Sequence, residues 1–155
     1  MRNRKSSLLL VALLSLTLLA TGCPKDQLKK ASNYGNSATQ ALSALQDLAI
    51  NLNQAGKLDD QKTSEIIRAV LKANAALQTA KNTVAHIHQR TEAGGEFNPQ
   101  DQADLRTLFS AFGQAVQELN QSGVLGVKNA ESKAQLNAIV ASVVQFSELL
   151  IALWQ

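Results

Sequence analysis

The sequence predicts an all-α protein, an up-down-up-down four-helix bundle made of two helical hairpins. Three observations carry that prediction. Four stripes of apolar residues recur at alternating steps of three and four, the period of one helix face. No segment alternates apolar and polar residues with the two-residue period of a strand. The only two prolines, Pro24 and Pro99, each fall where a helix would begin rather than inside one.

The first stripe is Leu28, Ala31, Gly35, Ala38, Leu42, Leu45, Ala49 and Leu52, ending just before Gly56. The second follows Asp59 and Asp60, acids that suit a helix start. It runs Ile66, Val70, Ala73, Leu77, Ala80, Val84 and Ile87 until Gly94 and Gly95 stop it. Asn98 before Pro99 reads as an N-cap with proline at the first helical position. The third stripe then runs Leu105, Leu108, Phe112, Val116 and Leu119 to Gly123. The fourth is Leu136, Ile139, Val143, Phe146, Leu150 and Leu153, flanked by Val140, Val144, Leu149 and Ile151. That extra width suits a helix touching two neighbours, and equally a seam for self-association.

The hairpin tips resemble one another. Leu52 to Leu58 and Leu119 to Leu125, 67 residues apart, are identical at five of seven positions, and both contain Leu-Asn-Gln-x-Gly. The motif is that of a helix C-terminus: glycine supplies a left-handed residue and the following leucine folds back on the last turn. Duplication of a hairpin and convergent capping both account for it. Helices of about 23 to 29 residues would make a rod roughly 35 to 43 Å long.

Ahead of the stripes lies a segment of another kind. Arg2, Arg4 and Lys5 precede an apolar run from Leu8 to Ala20, the order of a secretory signal. At roughly 13 residues the run is too short for a span of about 20. It closes with Ala20, Thr21, Gly22 and Cys23, which resemble the lipobox of bacterial lipoproteins, with Leu19 one place earlier than in the commonest form. The resemblance implies a signal peptide at 1–22, cleavage before Cys23, diacylglycerol on its sulfur, and a bundle domain at 23–155. What the resemblance implies for Cys23 is the role of lipidation site and means of membrane attachment. The rival is an ordinary secreted protein with one unpaired thiol. In enteric lipoproteins an Asp after the cysteine signals inner-membrane retention. Pro24 stands there instead, so the resemblance favours a cell-envelope location on the periplasmic side of the outer membrane.

Cleavage changes the charge argument. The formal charge of +3 is carried by the three cations of the signal; of 15 Lys and Arg, 12 remain against 12 Asp and Glu. A neutral chain without a basic cluster has no footprint for nucleic acid and no polybasic patch for anionic lipid. The single cysteine rules out an internal disulfide, so packing alone must hold the fold.

Residues that carry chemistry are few. His86 and His88 are two apart and point about 200° from each other on a helix, so they cannot share one ion within it. Neither has a glutamate three residues before it, as di-iron bundles require. Haem attachment through paired cysteines is excluded by the single Cys. Asp59, Asp60, Asp101 and Asp104 read as first-turn charges favourable to the helix dipole. The expectation is therefore a non-enzymatic protein with no cofactor, no metal and no catalytic residue.

Two functions of different kind fit. One is a lipid-anchored binding or structural adaptor that engages another envelope protein, as a monomer or a self-associated form. The other is a lipoprotein that encloses a small apolar ligand or lipid between its alanine-rich helices. Up-down topology sends both Leu-Asn-Gln-x-Gly turns away from Cys23. It returns the loop from Arg90 to Pro99, with Phe97, and the C-terminus, with Trp154, to the Cys23 end. Phe97 and Trp154 are there either as membrane contacts or as a cover for the core and loop.

Overall fold

The structure, a computed structural model, describes residues 23–123 and 127–155. The signal peptide expected at 1–22, and Val124 and Leu125 of the second tip, lie outside the described residues. The described chain forms four α-helices and no strand: α1 (Pro24–Gln54), α2 (Asp60–Glu92), α3 (Pro99–Glu118) and α4 (Ala130–Ala152). A π-helical turn, Leu119–Gly123, extends α3.

The helices form a ring in which α1 packs on α2 and α4, and α3 packs on the same two. The diagonal pairs make no comparable contact among the described residues. Neighbours in the ring run antiparallel, as the ends show. Cys23, Thr91 and Phe97 share one end, with Trp154 stacked on Phe97; Lys57 reaches Glu131 at the other. This is the up-down-up-down bundle that the stripes predict.

Each helix after the first starts where its sequence supplies an acceptor for otherwise unpaired N–H groups. Asp59 caps α2, accepting from Lys62 N at 2.7 Å. Asn98 caps α3 in a reciprocal box: its Oδ1 accepts from Asp101 N at 2.9 Å, while Asp101 accepts from Asn98 N at 2.8 Å. Asn129 caps α4, accepting from Ser132 N at 2.9 Å. At α1 the cap position is Cys23, whose side chain makes no capping bond, and Pro24 occupies the first turn.

The first tip closes as its glycine requires. Gly56 has φ +68°. Lys57 N donates to Leu52 O at 2.8 Å and Gly56 N to Asn53 O at 2.8 Å, the two bonds of a Schellman motif. Leu58 folds back and is 6 % exposed. Gly94, at φ +91°, ends α2 with the same pair of bonds, Gly95 N to Arg90 O and Gly94 N to Thr91 O. The second Leu-Asn-Gln-x-Gly segment behaves differently, running on as the π turn. The shared sequence therefore does not impose one shared geometry.

The first two stripes are buried residue for residue, with Thr63 and Thr91 added at the ends of the second. The last two are rotated slightly. In α3 Phe109 is fully buried and Leu108 only partly so. In α4 the buried line runs Ser132, Leu136, Val140, Val143, Ser147 and Leu150, then Trp154, while Ile139, Phe146 and Leu153 sit at its edge. The expected stripe follows the bulk of Phe146; the buried line follows the facing helices. Ser147 can lie inside because its hydroxyl donates to Val144 O at 2.7 Å within its own helix, leaving no unpaired polar atom.

Helix lengths also depart from the expected 23 to 29 residues. The first hairpin has 31 and 33, the second 20 and 23, so at 1.5 Å per residue α1 and α2 are about 46 and 50 Å long and α3 and α4 about 30 and 35 Å. By length and composition α4 is apolar enough to cross a membrane, but here it serves as the fourth bundle helix. Val140 is buried, Val144 and Ile151 pack against the core, and only Leu149 of the flanking set is exposed, at 36 %.

Candidate functional site: the base of the bundle

Four chain segments converge at one end of the rod. Cys23 is exposed with a free thiol, and the helix begins at the next residue, Pro24. Asp26 N and Gln27 N donate to Cys23 O at 2.8 and 3.1 Å, so the anchor candidate is already part of the helix frame. Beside it lies an open depression of about 290 Å³ lined by Cys23, Pro24, Thr91, Gly95, Glu96 and Phe97, with Lys25 at its edge.

Phe97 links this depression to the core. Its ring stacks on Trp154 at a centroid distance of 6.0 Å. Trp154 in turn lies parallel to Phe109, 6.4 Å away with 2° between planes. Trp154 is 1 % exposed, so it fills the end of the core, and Phe97 is half-buried over it. The indole Nε1 has no hydrogen-bond partner among the described residues; the ring's contribution is packing.

The corner between α2 and α3 is fixed by charge. Arg90 Nη2 donates to Asp101 Oδ2, and also reaches Glu96 O at 3.4 Å. Asp101 is 7 % exposed. Burial, the largest single influence, would raise its carboxyl; the hydrogen bonds from Arg90 and Asn98 N–H, with the charges of Arg90 and His86, outweigh it and hold the group below the usual carboxylate range. Sequence reasoning placed Asp101 at the helix start but missed Arg90, because the pair forms only when the corner folds. Glu65 is lowered too, by hydrogen bonds from Lys62 and Gln61, far from this end.

The histidines remain apart in role. His88 Nε2 lies 3.4 Å from Glu92 Oε1, while His86 is exposed on another face. Among the described residues no three His, Cys, Asp or Glu side chains gather as a metal-ligand set. The small core residues bring helices together: a Cβ on Gly35 would meet Lys81 Cγ at 3.1 Å, and one on Gly113 would meet Ile151 Cδ1 at 2.7 Å. Lys81 also crosses from α2 to α1, its Nζ donating to Thr39 Oγ1 at 3.2 Å. A depression of about 350 Å³ opens on this α1–α2 face, floored by Leu28, Val84 and Ala85 and rimmed by polar side chains.

Comparison with protein-family models, with curated proteins and with solved structures returns no match. The residues and their geometry are therefore the ground for reading function.

Proposed function

We propose that this chain is a lipid-anchored, non-catalytic helical protein of the bacterial cell envelope, acting as a binding or structural adaptor. The observation that carries the proposal is the position of Cys23. The residue that closes the lipobox-like sequence is exposed, uncommitted to the core, and set at one end of a closed bundle. Acylation there adds on the order of 0.8 kcal/mol per buried CH₂, and two or more chains anchor stably where one does not. Pro24 after the cysteine favours the outer membrane. The polar faces of the helices, carrying exposed residues such as Gln40 and Asn82, are the surface offered to an envelope partner.

The test is metabolic labelling with a fatty acid in a bacterial host, comparing the native chain with Cys23→Ser. The proposal expects label and membrane association in the first and loss of both in the second. Equal behaviour of the two would refute it. Photo-crosslinkers at Gln40 and Asn82 then read the adaptor role: a single recurrent envelope-protein adduct is expected, and its absence at both faces argues against it.

A further inference from the structure

The helix frame starts one residue after Cys23, which fixes how the body must sit if the anchor is as proposed above. With Pro24 as the first residue of α1, no flexible spacer separates the acylated sulfur from the bundle. We propose that the base of the rod seats directly in the phospholipid headgroup layer, with the rod standing off the bilayer and the α1 edge as its cationic contact.

Two features besides the acylated sulfur point to a headgroup surface. Lys25, Lys29 and Lys30 are exposed in the first two turns of α1, and Lys25 stands in the first turn, where the helix dipole disfavours a cation. None of the three forms an ion pair among the described residues. In those two turns α1 carries one acid, Asp26, while Glu92 and Glu96 lie on the α2–α3 corner and Glu148 in the last turns of α4, so the lysines of this end gather on the α1 edge. Three lysines do not make a polybasic patch, so the contact is a local one: headgroup phosphates at the α1 edge would face these ammonium groups. Lys30 is about 10 Å along the axis from Cys23. Its flexible stem can bring the ammonium back toward the layer, which is roughly 5 to 8 Å deep on each side of the core.

The second feature is the open depression at the base, with Phe97 on its wall. It lies at the same end as the sulfur, and its partly exposed Phe97 is of the residue type that favours the water–lipid boundary. Trp154 is committed to the core, so Phe97 alone is left for this contact.

Because acylation blocks the only native thiol, single introduced cysteines report position without further changes. The mature, full-length protein is placed in vesicles of phosphatidylethanolamine and phosphatidylglycerol. A fluorophore is carried on Glu96→Cys at the base, Asn33→Cys about 15 Å up α1, or Ala55→Cys at the far tip. Quenching by headgroup-level spin-labelled lipid should be strong at Glu96→Cys, weak at Asn33→Cys and absent at Ala55→Cys. Replacing Lys25, Lys29 and Lys30 together by Gln should reduce the quenching at the base. Quenching at all three sites would mean a rod lying flat, and none at any site in protein that floats with the vesicles would mean a body held off the surface; either overturns the seat while leaving the anchor intact. Undiminished quenching in the Gln variant overturns the cationic contact. Label entering the native chain would show a free Cys23 thiol, and the anchor and the seat would fall together.

Discussion

Phe109 of α3 and Trp154, two residues beyond the end of α4, lie parallel with their ring centroids 6.4 Å apart. This pair joins the C-terminus to the middle of α3 and closes the core toward the end where Cys23 emerges. Trp154→Ala removes the largest fully buried side chain. It is expected to destabilise the bundle by about 3 to 5 kcal/mol, measured by denaturant unfolding of the unlipidated domain. Phe97→Ala, taken from a half-buried ring, should cost less than half as much. Trp154 is also the only tryptophan, so native emission should be blue-shifted and should move red on unfolding; a solvent-like spectrum in the folded protein would contradict its burial.

The Arg90–Asp101 pair makes stability depend on pH in a defined direction. The Asp101 carboxyl is held below its ordinary value, so the folded state binds its proton less readily than the unfolded chain. The contribution is present above the unfolded carboxylate value of about 3.9 and is lost as pH falls through the lower folded value. Asp101→Asn is expected to cost about 1 to 3 kcal/mol near neutrality. It should also flatten the acid limb of the stability curve relative to the native chain. An unchanged limb would remove Asp101 from the account.

Gly56 carries the first tip through its backbone alone. No atom would meet a Cβ there within 4 Å, yet φ is +68°, a region that costs other L-residues roughly 1 to 2 kcal/mol. Gly56→Ala should therefore destabilise by about that amount without steric conflict. Gly56→Asn should cost less, since asparagine tolerates the left-handed region. Equal stability of all three proteins would show that the turn is not held in this conformation.

Alanine-rich helices raise the choice between close packing and an internal ligand space. Ala38 and Ala80 are both fully buried, and a Cβ at nearby Gly35 would press against Lys81. Enlarging either alanine to leucine should overpack the interior and cost about 1 to 3 kcal/mol. A neutral or stabilising Ala80→Leu would reveal room to fill, and would move the balance toward the ligand-binding alternative.

The contrast between the two tips shows what a local motif can and cannot specify. Leu-Asn-Gln-x-Gly closes α1 with a left-handed glycine and two reverse-turn bonds, yet the same letters continue α3 as a π turn. The N-terminal signals were more decisive, because Asp59 and Asn98 satisfy donors within three residues and need no distant partner. Asn129 is a signal of the same kind, and it marks the start of α4 that apolar periodicity alone leaves open.

The sequence by itself determined the all-helical class, the number of helices and the buried faces of α1 and α2, because helix period and capping are short-range properties. It also marked Cys23 as the candidate for an anchor. Only tertiary structure decided that Ser147 lies inside while Phe146 sits at the edge, that Arg90 finds Asp101, and that Phe97, Trp154 and Phe109 stack. Each of those depends on the rotation of one helix against its neighbours, which is set by the combined packing of all four.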